Sequence, residues 1–397
     1  MTPPRDAASR AAFALVWALV ALAISNFPHN VASPAVDGSC MLPLADGFAT
    51  RWAHGIDVVI TYGPLGWVPA GIFLPGLFIH SIIIEMTSKV LMAYLLTCYA
   101  FELPGWARPV LFVAAVAGFA REDALLWLVV LVVAEQLLAP APRLRRALGL
   151  AVLAYVGLVK LSFLYGTLVA LGLLVITDRR AGAEAIALFA VVFVALWRAC
   201  TGAFEGLVGW LGQSLDIVVG YSGAMGLEVR PVWELSLAIA VLALLTGART
   251  RALAPRALSA FHAVLAVLLL KQGFVRHDGY HVGMFWSFLI VAAVPAEKGT
   301  GRTGRALVVV SAIVALAMLS DVRDVVALVR APVTTARYLA SLSACRAGLE
   351  AQFALYQSAY ALPRTRALVG GGAVDMLPAN EQALIVFNRL AYRPRPV

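Results

Sequence analysis

The sequence predicts an all-α polytopic membrane bundle, and three observations carry that prediction. Of 397 residues, 61% are hydrophobic and only 13% charged, with a mean hydropathy of +0.86. A water-soluble chain runs nearer half apolar and a quarter charged, so an ordinary soluble enzyme is excluded. The apolar residues gather in runs suited to a hydrocarbon core about 30 Å thick. The formal charge of +9 is dispersed as short Lys and Arg clusters between those runs. That is the pattern of membrane loops, so no nucleic-acid partner is expected. Cys40, Cys98, Cys200 and Cys345 show neither metal-binding nor disulfide spacing.

The first run, Ala11 to Phe27, follows Arg5 and Arg10 and ends in Asn26-Phe27-Pro28-His29-Asn30. No small-residue cleavage site follows, so it reads as an uncleaved helix. Residues 28–76 then form a long polar loop. Within it, Leu42 to His54 has the helical spacing of a segment lying along a membrane surface. Tyr62-Gly63-Pro64-Leu65-Gly66 is turn chemistry, with proline fixing one dihedral and the glycines permitting positive φ. Further apolar runs follow at 77–101, 108–120, 124–139, 148–160, 161–177, 183–200, 232–247, 257–271, 282–295 and 306–320.

The expectation is therefore about 11 transmembrane helices. A cytoplasmic N-terminus puts fourteen basic residues in the inner loops and seven in the outer loops and helix ends, as the positive-inside rule requires. The chain is then N-in and C-out. Residues 1–320 form the transmembrane module with its first outer loop at 28–76, and 321–397 form a small extracytoplasmic α/β segment. That segment carries an amphipathic helix over Ala336–Tyr360, a turn at Gly370-Gly371-Gly372, a short strand near Val374 and a helix over Glu381–Asn388. With little core of its own, it docks on the outer loops.

Acidic residues gather on the outer side, beside runs too short to span comfortably: 108–120 precedes Arg121-Glu122-Asp123, and 148–160 ends at Lys160. Charge at that depth is tolerated inside protein or along a watery cavity. Arg121 and Asp123 read either as a self-neutralised turn or as cavity wall. Lys160 takes either a structural ion pair or an anionic ligand. Glu85 and Lys89, four apart on one helix, neutralise each other, and His262 reads as a satisfied core histidine. Asp37 and Asp57 read either as helix caps and turn formers or as carboxylates available for chemistry.

The densest constellation is Lys271-Gln272-Gly273-Phe274-Val275-Arg276-His277-Asp278-Gly279-Tyr280-His281. Its cations suit a phosphate, to which Arg offers a bidentate fork. His277 and His281 suit the same oxygens or protonation of a leaving group. A metal held by His277, Asp278 and His281 is conceivable but disfavoured, because Gly279 argues against a continuous helix there; no cofactor is expected. The alternative for the whole stretch is a solvated interfacial loop with snorkelling cations.

These motifs together resemble a GT-C-type polytopic membrane glycosyltransferase. The nearest likeness is to an uncharacterised bacterial group with a Thr-Tyr-Gly-Pro-Leu-Gly outer-loop motif. It rests on Asp37-Gly38-Ser39-Cys40, on Gly55-Ile56-Asp57 through Thr61-Tyr62-Gly63-Pro64-Leu65-Gly66, on Phe274 to His281, and on Val374-Asp375 and Pro394-Arg395-Pro396-Val397. Cys40 and Ile60 stand where that group carries Trp and Phe. The group continues past the Pro-Arg-Pro-Val element, which implies an incomplete C-terminal segment here.

The resemblance implies a bacterial cytoplasmic-membrane enzyme taking a polyprenyl-phosphate sugar among membrane lipids. The sugar passes to an extracytoplasmic glycan, lipid or protein acceptor. In that scheme Asp37, or second Asp57, is the base; Lys160, Arg276, His277 and His281 hold the donor phosphate; and Tyr62, Gly63, Pro64, Arg121, Asp123 and Asp278 shape the cavity. The rival expectation is a transporter or flippase of a lipid-linked saccharide or amphipathic anion.

Overall fold

The computed structural model describes residues 7–33, 36–58, 60–103, 122–138, 141–225, 253–276, 279–300, 322–375 and 381–392, with isolated positions 105, 108, 306, 309, 310 and 313. The expected run 232–247 and nearly all of 108–120 and 306–320 lie outside the described residues. So do Arg121, His277, Asp278 and Pro394-Arg395-Pro396-Val397.

The described residues are mostly helical. Helix α1 (Ala7–Ile24) runs against α3 (Phe78–Glu102). There Trp17 Nε1 donates to the Val90 carbonyl at 2.9 Å, and Phe13 meets Tyr94 and Phe101 edge-on. Between them in the chain comes α2 (Val36–Thr50). After α3 come α4 (Glu122–Leu138), α5 (Arg143–Val159), α6 (Leu161–Thr177) and α7 (Arg179–Thr201). The start of α7 is capped by Asp178, whose carboxylate accepts from Ala181 N–H at 3.0 Å. Gly202, at φ 77°, supplies the left-handed residue that ends it.

Helix α4 is the centre of the bundle. It is buried nearly all round, from Ala124 to Leu137, because α3, α5, α6 and another helix, α9 (Leu253–Arg276), surround it. Helix α10 (Gly279–Thr300) packs along α9. Helix α8 (Gly206–Met225) falls outside every expected run. Its Leu207, Trp210, Leu211, Ser214 and Val218 recur at helical spacing, but Gly206, Gly209, Gly212 and Gly220 dilute the pattern and weaken intrinsic helix preference.

Among the described residues, four helical stretches are long and apolar enough to cross a membrane: Ala7–Ile24, Pro75–Glu102, Arg179–Thr201 and Ala257–Val275. Leu161–Thr177, Gly206–Gly220 and His281–Ala292 are apolar but shorter.

The tail contains α11 (Val322–Ala340), α12 (Leu342–Ala359) and α13 (Pro363–Val369). The single helix expected over 336–360 is thus two, divided at Ser341. Strand β1 (Ala373–Val374) pairs in parallel with β2 (Ala391–Tyr392), with α14 (Ala383–Phe387) between them. So small a sheet has no independent stability, and α14 packs on α2. There Ala383 N–H donates to Ser39 Oγ at 2.8 Å, and Tyr392 lies 5.4 Å from Trp52, ring to ring. Helix α2 therefore does not present its apolar side outward as a surface-lying helix would. Met41, Leu42, Leu44 and Ala45 are buried in protein.

Candidate functional site

The geometry of the candidate site begins with a helix break. Helices α5 and α6 are separated by one residue, Lys160, in extended conformation at φ −155° and ψ 137°. A helix end leaves its last carbonyls and first amides without partners. Here the loop 60–66 supplies them. Gly63 N–H donates to the Val159 carbonyl at 2.9 Å, Leu65 N–H donates to the Leu158 carbonyl at 3.1 Å, and Leu161 N–H donates to the Thr61 carbonyl at 2.9 Å. Gly63 is required by the approach, since a Cβ there would stand 2.1 Å from the Leu158 carbonyl oxygen.

The same strap is tied to α8 on its other side. The Ile60 carbonyl accepts from Trp210 Nε1 at 3.0 Å and from Ser214 Oγ at 2.9 Å. Just upstream, Gly55, at φ 88°, lies backbone to backbone with Gly206, and a Cβ on Gly206 would fall 1.7 Å from the His54 carbonyl oxygen. His54 is buried between Trp197 and Trp210. Its Nε2 lies 3.0 Å from the Tyr62 carbonyl, which can only accept, so Nε2 carries the proton of a neutral ring. Burial pushes His54 down to about 4, against a smaller upward pull from that hydrogen bond.

Lys160 is where charge collects. Its Nζ lies 2.6 Å from Asp123 Oδ2 and 4.8 Å from the centre of the Tyr62 ring. The two charged side chains are 17% and 20% exposed. Asp123 stands in the first turn of α4, where the helix dipole favours a carboxylate. Lys160 thus has a protein counter-ion and an aromatic face. The described ion pair of Asp123 is with Lys160.

Helix register brings the second cationic stretch to the same end of the bundle. Trp127 Nε1 of α4 donates to Gln272 Oε1 of α9 at 3.1 Å, and Glu135 Oε1 of α4 lies 2.8 Å from His262 Nε2 of α9. Moving forward along α4 therefore means moving back along α9, so the two helices are antiparallel. One turn back from Trp127 is Asp123; one turn forward from Gln272 is Arg276. At 1.5 Å rise per residue the two backbones come level. The Arg276 side chain lies outside the described residues, whereas His281 is described in the first turn of α10, beside Gly273. Gly279 opens that helix instead of precluding one.

Asp37 occupies the first turn of α2, and its side chain lies outside the described residues. Cys40, three residues on and on the same side of the helix, is within electrostatic reach of the Tyr62 and Tyr392 hydroxyls. Asp57 turns out to shape its own loop: Oδ2 accepts from Ala53 N–H at 2.9 Å, and its own N–H donates to the Ala53 carbonyl. Pro64 lines a cleft of about 260 Å³, counting the solvent at its mouth, with Phe48, Trp52, His54, Cys200 and Thr201. Among the described residues no group of three His, Cys, Asp or Glu side chains could hold a metal.

Two ionisable residues escaped the sequence reading. Tyr99 and Glu135 are buried and joined, Tyr99 donating its hydroxyl to Glu135 Oε2 at 2.9 Å. The available signal was Glu135-Gln136, a polar pair inside the apolar run 124–139. Compared with known protein families, with curated proteins and with solved structures, the chain matches none.

Proposed function

We propose that this chain is a membrane glycosyltransferase of the cytoplasmic membrane of a bacterium, moving a sugar from a polyprenyl-phosphate donor to an extracytoplasmic acceptor hydroxyl. In this reading the chain crosses the membrane eleven times from a cytoplasmic N-terminus. The Lys160 end of the bundle faces away from the cytoplasm, and residues 321–397 form the extracytoplasmic segment. The observation that carries the reading is the Lys160–Asp123–Tyr62 cluster, level with the end of α9 and roofed by the loop that follows Asp37.

The chemistry asked of the site is an inverting displacement. The acceptor oxygen forms a bond to the anomeric carbon as the bond from that carbon to phosphate oxygen breaks. Asp37 takes the acceptor proton, and the leaving polyprenyl phosphate keeps the electron pair. Lys160, Arg276, His277 and His281 stabilise the charge that develops on it. A phosphate reaching Lys160 meets a cation already partly desolvated and fixed by Asp123 and Tyr62. Asp57, engaged with Ala53, serves the loop and is the second choice as base.

A transporter or flippase of the same lipid is favoured by one observation, the ionisable side chains deep in the bundle. Lipid and glycan profiling of a deletion strain separates the two readings. A transferase leaves an acceptor lacking one sugar and its donor accumulating. A transporter leaves the linkage chemistry intact and strands the lipid on one side. Asp37→Asn is expected to abolish transfer while the purified protein keeps its thermal midpoint. Full modification in cells carrying only that variant rejects Asp37 as the base. Arg276→Ala is expected to weaken binding of a polyprenyl phosphate to the purified protein, and unchanged binding removes Arg276 from the site.

A further inference from the structure

Helix α2 closes in a turn that holds an unusual residue. Trp52 N–H donates to the Gly47 carbonyl at 2.8 Å, and Arg51, inside that turn, sits at φ 57°. Glycine is preferred at such a helix end, because a Cβ is disfavoured at positive φ. The arginine placed there runs across the end of α7. A Cβ on Gly202 would stand 3.6 Å from Arg51 Cδ, 3.0 Å from Arg51 Nη1 and 3.8 Å from Arg198 Nη1. Both guanidinium groups therefore border the same small space, and both side chains are exposed.

Two cations brought together repel unless a negative group answers them. The carbonyl end of α7 offers the equivalent of about half an elementary charge against two. The Phe204 ring, its centre 5.8 Å from the Arg198 guanidinium carbon, attracts a cation without neutralising it. At the opposite end of α7, Arg180 pairs with Glu184 at 3.2 Å. Among the described residues neither Arg51 nor Arg198 has a carboxylate at ion-pair distance. A phosphate fits between them, since each guanidinium can donate to a different oxygen at about 2.8 Å.

The surroundings select the kind of phosphate. Leu188, Val191, Val194 and Arg198 share one side of α7 at helical spacing, and all are exposed. That helix is long and apolar enough to cross a membrane. Its exposed apolar face thus leads directly to the arginine pair. Phe204 is 53% exposed at the same end, as are Val208 and Ile56, the latter brought there by the contact of Gly55 with Gly206. Apolar surface running up to a cationic pair suits an acyl chain joined to an anionic headgroup. A small soluble anion would have no use for it.

We infer that Arg51 and Arg198 form a headgroup site for an anionic phospholipid, whose acyl chain lies along the Leu188–Val194 face of α7. The bound phosphate bridges the turn after α2 to the end of α7. The site is at the Lys160 end of the bundle, because Pro64 of the strap lines one cleft with Cys200 and Thr201. The inference rests on α7 crossing a membrane and not on sugar transfer, and its test uses no sugar.

The test follows binding of phosphatidylglycerol to the delipidated full-length protein by native mass spectrometry, with phosphatidylcholine and inorganic phosphate for comparison. The wild type is expected to hold phosphatidylglycerol about tenfold more tightly than phosphatidylcholine. Arg51→Gln and Arg198→Gln are each expected to weaken that binding about fivefold, and Arg180→Gln to leave it unchanged. Without lipid, the first two variants are expected to keep or raise the thermal midpoint, since one of two repelling charges is gone. A midpoint lowered in both would make the pair a support of the fold and overturn the inference. Unchanged phosphatidylglycerol affinity in the double variant overturns it as well. Inorganic phosphate competing as strongly as phosphatidylglycerol would make this a soluble-anion site and overturn the lipid assignment.

Discussion

Lys160→Ala removes a cation from beside a carboxylate only 20% exposed. A charge-assisted hydrogen bond of this kind is worth about 2 kcal/mol, and we expect a loss near that size in denaturant unfolding. Asp123→Asn is expected to cost less, because the amide still offers Lys160 an oxygen. His54 gives a pH prediction. Its folded value, about 4, lies below the 6.5 of an unperturbed histidine, so below pH 6.5 the unfolded chain binds the extra proton. Stability is full above pH 6.5 and falls by about tenfold in the folding constant per unit down to pH 4. His54→Gln is expected to flatten that limb of the thermal midpoint against pH. At this scale the sequence singles out Lys160 and Tyr62 as unusual. It does not join them to each other or to Asp123, because three distant stretches have to fold first.

Elements differ in how much of them can be read beforehand. The run 161–177 coincides with α6, since its apolar stretch is bounded by Lys160 and Asp178. Helix α8 is hidden by its glycines, of which Gly206 and Gly209 serve the loop crossing it and not the helix. Two of them separate these roles. Gly206→Ala would drive a Cβ into the His54 carbonyl, and about 2–3 kcal/mol of destabilisation is expected from the forced shift. Gly212 in the same helix has nothing within 4 Å of such a Cβ. Gly212→Ala is expected to be neutral or to stabilise by up to about 1 kcal/mol. Equal losses in both, measured by denaturant midpoint, would refute the strap geometry.

For the whole molecule, composition makes legible a helical chain with stretches long and apolar enough to cross a membrane. What it leaves out is register. The pairing of Trp127 with Gln272 and of Glu135 with His262 sets α4 against α9, and neither pair is visible as a motif. In a background freed of native cysteines, Asp123→Cys with Arg276→Cys is expected to join through a short bifunctional maleimide. Asp123→Cys with Leu265→Cys, about three turns deeper, is expected to remain unlinked. Reversed yields would mean that α9 slides along α4.

The strap has a consequence for biogenesis. The Ile60 carbonyl waits for Trp210 and Ser214, which leave the ribosome 150 and 154 residues later. At 5–20 residues per second, that delay is on the order of ten to thirty seconds. Throughout it, the Ile60 carbonyl has emerged without these two donors. Folding of α8 is therefore the event that satisfies the Ile60 carbonyl, and a nascent chain stalled before Trp210 is expected to leave this loop more open to proteases.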